Sequence, residues 1–226
     1  MESFENKRER LISRLIEEGV LKKPDVIRAM LKVPREEFVS PELRDHAYMD
    51  SPLPSLGGQT ISAPHMVAMM CELLDLKVGQ KVLEIGAGTG YHAAVCAELV
   101  APSGRTGEDN GHVYAIDLVK SLIDFANRNL GRCGYSERVT IIEGDGTLGY
   151  PAAAPFDRIL VTAAAPRIPP PLKMQLKDGG RIVIPVGEAY SVQDLIVVEK
   201  SGDSFKEWTY GSCVFVPLLG QYGWNE

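Results

Sequence analysis

The stretch Glu84-Ile85-Gly86-Ala87-Gly88-Thr89-Gly90-Tyr91 has residue types and spacing that could do chemistry. Glycines in such a loop let the chain turn sharply and let a ligand lie against bare backbone. The pattern is acidic-x-G-x-G-x-G. A dinucleotide loop requires G-x-G-x-x-G, and here position 91 is Tyr. A second signal is Asp117, which ends the strand-like run Val113-Tyr114-Ala115-Ile116. A carboxylate at that place accepts hydrogen bonds from ribose hydroxyls. A third is Gly144-Asp145-Gly146, where an Asp could accept from an adenine amine, although an Asp-Gly pair is also an ordinary turn.

The three signals follow three successive strand-like runs, and together they point to a nucleoside cofactor without phosphates. S-Adenosylmethionine fits. It offers nothing for a phosphate-binding helix terminus, but it carries an ammonium and a sulfonium that suit an acidic loop starting at Glu84. The gap from Gly90 to Asp117 exceeds the usual spacing of about 20 residues, and a polar, turn-forming insertion at Ala101–Gly111 accounts for the excess.

These loops need a scaffold. Strands are expected at Lys81–Ile85, Val113–Ile116, Val139–Glu143, Arg158–Thr162 and Arg181–Pro185, alternating with helices near Tyr91–Val100, Leu118–Arg132 and Pro170–Leu176. Such alternation predicts an α/β fold of Rossmann-like type: a mainly parallel sheet with helices on both faces and ligands at the carboxyl ends of the strands. Leu195–Glu199 and Trp208–Val216 flank the turn signal Lys200-Ser201-Gly202-Asp203, which predicts an antiparallel hairpin at the sheet edge. Upstream, Leu11, Ile12, Leu15 and Ile16 mark an amphipathic helix ending near Gly19. A second helix begins after Pro24 and stops before Pro34, and another spans Met66 to Leu74. Between Pro34 and Pro64 the chain is irregular and rich in Pro, Gly and Ser, either a surface linker or a functional loop.

The 226 residues, 45% hydrophobic and 24% charged, suit one folded domain without internal repeats. A net charge of -6 provides no basic footprint for nucleic acid and no polybasic membrane patch. No signal core and no run of about 18 apolar residues occurs, so a cytoplasmic protein is expected. Cys71, Cys96, Cys133 and Cys213 show no C-x-x-C pairing, and His46, His65, His92 and His112 show no metal-ligand spacing. Reduced core cysteines and no metal are the expectation.

The chain resembles the protein-L-isoaspartate (D-aspartate) O-methyltransferases over nearly its whole length. The resemblance is carried by Pro34-Arg35-Glu36-Glu37-Phe38-Val39, Gly58-Gln59-Thr60-Ile61-Ser62-Ala63-Pro64-His65-Met66, the Glu84–Tyr91 loop, Gly144-Asp145-Gly146, Ala163-Ala164-Ala165-Pro166 and Leu176-Lys177-Asp178-Gly179-Gly180-Arg181. Thr60-Ile61-Ser62-Ala63-Pro64 is the most specific of these. The resemblance implies extra helices at the amino end of a methyltransferase sheet. It implies Ser62 as the active-site residue. It implies cofactor contacts from Gln59, Thr60, Ile61, Ser62, His65, Glu84, Gly86, Ala87, Gly88, Thr89, Gly90, Asp117, Leu118, Asp145 and Gly146. The substrate it implies is the free carboxylate of isoaspartyl residues in damaged proteins, with S-adenosylhomocysteine as the other product. Methylation is followed by succinimide formation and partial return to aspartate.

A serine makes chemical sense there. A carboxylate with a pKa of about 4 is already ionised at neutral pH, so it needs aiming in line with the departing sulfur and no base. One hydroxyl can aim it, whereas a tight Arg pair would damp its nucleophilicity. Without the motif, Ser62 reads equally as a helix N-cap before Pro64 or a loop hydroxyl. The strand-like Cys213-Val214-Phe215-Val216-Pro217-Leu218 is suggested by the resemblance to bind an extended substrate through backbone pairing, with Val214 and Val216 as contacts. A plain buried edge strand is the alternative. The end, Leu219-Gly220-Gln221-Tyr222-Gly223-Trp224, lacks a polar residue at 219, so no cofactor contact is assigned to it.

Two rival functions differ in class. A nucleobase methyltransferase would carry an Asn/Asp-Pro-Pro-aromatic motif after the fourth strand, where this chain has Thr162-Ala163-Ala164-Ala165-Pro166. A non-catalytic cofactor-binding adaptor would share the fold, which alone does not exclude it. The expected organisation is a single methyltransferase domain over 1–226, acting as a monomer. Residues 1–75 supply helices and the active-site loop, 76–187 the cofactor core, and 188–226 the substrate-side strands.

Overall fold

A computed structural model describes residues 2–104 and 110–225. The amino-terminal helices are α1 (Phe4–Glu17), capped by the Ser3 side chain, and α2 (Pro24–Lys32), which starts with proline. The segment that follows is only partly irregular. It holds 3-10 turns at Arg35–Glu37, Pro41–His46 and Leu56–Gly58, and a two-residue antiparallel pair, β1 (Leu53–Pro54) with β2 (Thr60–Ile61). Next come α3 (Pro64–Leu74), β3 (Lys81–Ile85), α4 (Tyr91–Val100), β4 (His112–Asp117), α5 (Lys120–Arg132), β5 (Val139–Glu143) and β6 (Phe156–Val161). The chain then forms α6 (Pro170–Met174), β7 (Leu176–Val186), β8 (Gln193–Ser201) and β9 (Ser204–Cys213).

The main sheet has the order β5-β4-β3-β6-β7-β8-β9. The first five are parallel, and β8 and β9 run antiparallel at one edge. Period-two alternation divides its core between two faces. Val82, Val113, Ala115, Leu160 and Val183 point into the cluster shared with α1 to α4. Leu83, Ile85, Ile116, Ile159, Val161, Ile182 and Ile184 point into the other, with Leu172 of α6 and Leu218. Every residue of α4 is buried. A helix apolar on all sides must be covered on all sides, and the added amino-terminal helices pack in that cluster.

Three sequence expectations are corrected. The helix expected at Pro170–Leu176 ends at Met174, because Leu176 starts an eleven-residue strand. The strand expected to reach Val216 ends at Cys213. Residues beyond it leave the edge and pair elsewhere: Ala164 N–H donates to Val216 and Leu218 N–H donates to Ala164. The segment expected to be irregular from Pro34 to Pro64 carries the turns and short strands above. Of the expected insertion at Ala101–Gly111, residues 105–109 lie outside the described residues. No helix among the described residues is long and apolar enough to cross a membrane.

Candidate active site

Because β3 pairs with β4 on one side and β6 on the other, successive chain crossovers diverge there, and a crevice opens at the carboxyl ends of the strands. A cavity of about 870 Å³ occupies it. Its wall includes Ile85 at the end of β3 and Gly86 after it, Asp117 at the end of β4, Gly144 and Gly146 after β5, and Thr162 after β6.

Glu84 is fully buried, and neither carboxylate oxygen has a hydrogen-bond partner. Burial pushes its carboxyl well above the usual range, with the imidazole of His92 acting weakly against that. His92 Nδ1 and Thr89 Oγ1 are likewise buried without partners on the same wall. Orphaned buried polar groups are costly unless something satisfies them. A ligand bearing a cation and hydrogen-bonding groups would satisfy them, so the cradle fits S-adenosylmethionine. At Gly86, with φ of +93°, a Cβ would lie 2.4 Å from Thr162 Oγ1. That hydroxyl donates to the Gly86 carbonyl at 2.7 Å and fixes the loop. Asp117 is held by Gly88 N–H at 2.8 Å and Val119 N–H at 2.9 Å, and burial raises its carboxyl while those backbone donors oppose the rise.

Gln59, Thr60, Ile61, Ser62 and His65 line the same cavity, as do Ala87, Gly88, Thr89 and Leu118. Ser62 does not cap α3: the N-cap is Ala63, with no side-chain capping bond. Its main chain is instead clamped. The guanidinium of Arg35, 0% exposed, donates to the Ser62 carbonyl and the Ala47 carbonyl, each at 2.8 Å, and lies 4.9 Å from the ring centre of Tyr91 at the loop's end. His65 is oriented by Asp50, which accepts from its backbone N–H and meets Nδ1, both at 2.9 Å.

Two residues assigned to the cofactor from sequence stand apart from the wall. Gly90 begins α4 and faces Leu130 and Ala126. Asp145 is turned into its own 3-10 turn and the chain's end, accepting from Thr147 N–H and Oγ1 and from Gln221 N–H at 2.8 Å. Gly220 makes that approach possible, since a Cβ there would fall 2.1 Å from Asp145 Oδ1. The tail so anchored carries Leu218 and Leu219 to the cavity. Tyr190 and Val192, 87% and 65% exposed, form the mouth with Val214, 70% exposed, and Val216 lies deeper. Tyr91, His92, Thr162, Tyr190, Val192, Leu218 and Leu219 escaped sequence reasoning. Only the first two, directly after the glycine loop, had a local signal.

The chain matches the family model described as "Protein-L-isoaspartate(D-aspartate) O-methyltransferase" over residues 6–223. It is 58% identical to the protein-L-isoaspartate O-methyltransferase of Hyperthermus butylicus, covering 100% of this chain and 93% of that one. It is 54% identical to the one of Methanopyrus kandleri, covering 99% and 96%. Among solved structures, it superimposes with a TM-score of 0.82 on a Plasmodium falciparum chain assigned to the same enzyme class, in complex with S-adenosyl-L-homocysteine. That chain is 27% identical, with 94% and 98% covered. The continuous cavity, its buried unpartnered carboxyl and these relatives agree: the chain belongs to the protein-L-isoaspartate O-methyltransferase family.

Proposed function

We propose that this cavity methylates the free carboxylate of L-isoaspartyl residues in damaged proteins and peptides, with cofactor and substrate entering from opposite sides of Ser62. The observation that supports this reading is one continuous cavity lined by Glu84 and Asp117 and also by Ser62 and Val214.

When bound, S-adenosylmethionine supplies an electrophilic methyl group on its sulfonium. Glu84 receives the ammonium end, drawn into its ionised form by that charge. The backbone of Gly86, Ala87, Gly88, Thr89 and Gly90 shapes the loop. Asp117 accepts from the ribose hydroxyls, with Leu118 beside it. Gly146 bounds the adenine end, and Asp145 acts there through the tail it anchors. Gln59, Thr60, Ile61 and His65 close the other side. Ser62 donates one hydrogen bond to the substrate carboxylate and holds it in line for displacement. Val214 and Val216 offer backbone groups to an extended peptide, a mode tolerant of flanking sequence. Once the ester has formed, attack by the neighbouring peptide nitrogen expels methoxide and closes the succinimide.

Residues 1–226 act as one domain in this reading: 1–75 bring Ser62, 76–187 hold the cofactor, and 188–226 face the substrate. The net charge of -6 supports a protein that engages neither nucleic acid nor membrane, and a cytoplasmic monomer is the form proposed. The test is incubation with a methyl-labelled donor and an isoaspartyl peptide beside its aspartyl twin. Base-labile label on the isoaspartyl peptide alone is expected. Ser62→Ala is expected to cut turnover by roughly tenfold or more, the worth of one aiming hydrogen bond, about 1.5 kcal/mol, with cofactor affinity little changed. Equal turnover in the variant removes Ser62 from the mechanism.

A further inference from the structure

Between α3 and α4, three soft ligand groups converge. His92 and Cys96 stand four residues apart on α4, the spacing that places two side chains on one helix face. Cys71 reaches them from α3, with its Sγ 3.4 Å from His92 Nε2. One ligand atom from each of the three lies within 4.8 Å of the other two. Cys71 and Cys96 are 0% exposed and His92 is 6% exposed.

We propose that Cys71, His92 and Cys96 form a binding site for a soft divalent cation of the zinc type, and that filling it weakens cofactor binding. The ion is no participant in methyl transfer. Two thiolates and an imidazole are a set that Zn²⁺ favours, with Zn–S of about 2.3 Å and Zn–N of about 2.0–2.1 Å. Tetrahedral geometry then separates ligand atoms by about 3.4–3.8 Å. The His92–Cys71 pair already stands at that spacing, and the remaining separations call for shifts of about 1 Å at most, given the 4.8 Å limit above. Binding exchanges two thiol protons for one Zn²⁺: two S–H bonds break, two Zn–S bonds form, and two protons leave to solvent. The cluster's net charge therefore stays zero, which avoids the penalty of an isolated buried ion.

The link to the cofactor runs through Glu84. Its carboxylate and His92 Nδ1 are both buried without a hydrogen-bond partner, and both residues line the same cavity. With Nε2 committed to the ion, His92 Nδ1 carries the ring proton and seeks an acceptor, the usual outer partner of a ligating histidine being a carboxylate. An ion in the cluster therefore turns Glu84 inward, as fourth ligand or as partner to Nδ1. Either way the cofactor's ammonium loses its counter-charge. The cavity also supplies the ion's path, since His92 forms part of its wall.

The experiment uses the whole chain, stripped with chelator and kept reduced. Zinc content after equilibration and gel filtration should be one ion per chain. Cobalt substituted for zinc should give a thiolate-to-cobalt charge-transfer band with tetrahedral d–d absorption. Cofactor affinity, measured by calorimetry without peptide substrate, should fall at least tenfold when zinc is saturating. Cys71→Ala/Cys96→Ala, whose changed side chains do not line the cavity, should retain cofactor affinity, lose the stoichiometric ion and lose the zinc effect. No stoichiometric zinc in the unaltered chain, or cobalt bound without the charge-transfer band, overturns the proposal without recourse to any variant. So does zinc retained by the double variant, or cofactor affinity indifferent to bound zinc. None of these readouts depends on which carboxylate is methylated.

Discussion

The two ends of the cavity are built differently. At the cofactor end, Glu84, Gly86 and Asp117 sit at or beside the carboxyl ends of adjacent parallel strands, and the pairing of β3 with β4 fixes their relation. Two local bonds fix the loop and strand ends: Gly88 N–H donates to Asp117, and the Thr162 hydroxyl donates to the Gly86 carbonyl. At the proposed substrate end, Ser62, Tyr190, Val192 and Val214 come from three separate segments, and the last three are exposed apolar side chains. A sheet gives one end its precision. The other end is held by a few long-range ties, Arg35 chief among them, and its open apolar rim suits a partner that varies in sequence.

That contrast can be broken at its rigid end with Gly86→Ala. A side chain in the left-handed half of φ costs about 1–2 kcal/mol, and displacing Thr162 loses bonds of ~1 kcal/mol each. Cofactor affinity should fall by about 100-fold or more in calorimetry, while the far-UV spectrum is retained. Affinity within a few-fold of the unaltered chain would mean that the loop is not the rigid element.

Arg35→Met probes the long-range tie. It strands the Ala47 and Ser62 carbonyls in a buried place, and about 2–3 kcal/mol of unfolding free energy should disappear in denaturant titration. Turnover should drop more than cofactor affinity, because the clamp holds Ser62 and not Glu84. Arg35→Lys, which can restore one of the two bonds, should recover part of both losses.

At the mouth, Val214→Asp should raise the KM for an isoaspartyl peptide by about tenfold, ~1.4 kcal/mol, through lost apolar contact and repulsion of the substrate carboxylate. Cofactor affinity should not change. An unchanged KM would detach the exposed rim from substrate binding.

Asp75→Asn is a control remote from both ends. A hydrogen bond from Lys23, with Lys77 assisting against modest burial, holds the Asp75 carboxyl down at about 2, below its usual 3.8. A depressed folded-state value means that stabilisation is full above the usual value and is lost as pH falls through about 2. The stability gap between Asp75→Asn and the unaltered chain should therefore be present at pH 7. It should shrink as the solution is acidified from about pH 4 towards pH 2, and stay below ~1 kcal/mol throughout because the pair is solvent-screened. Asn keeps the left-handed backbone tolerable at this position, where φ is 51°.

How much of this was legible in the sequence follows the same division. The parallel strands announced themselves by β-branched, apolar runs of four to six residues. β3 and β5 fall at the expected bounds, and β4 and β6 within two residues of them. Leu176 misled because it continues the apolar spacing of α6, yet its backbone is claimed by pairing with Phe156 across the sheet. Cys213 to Val216 misled in the opposite sense: the run has strand composition, but Ala164 draws the chain off the edge. Arg35 lay inside a recognised motif without any local sign that it would be buried against Ser62.

By itself, the sequence determined the alternation of strands and helices, the glycine loop with its acidic start, and the exclusion of a dinucleotide. Each is a property of residues within about one turn or one strand of each other, where backbone geometry and side-chain period decide the outcome. Tertiary structure alone decided that Arg35 clamps Ser62, that Asp145 faces the tail and that Leu219 reaches the cavity. It alone placed Cys71 against His92 and Cys96. Those pairings join residues 21 to 76 positions apart in the chain. Which distant groups meet is set by how the packed layers close, and no short-range pattern records that.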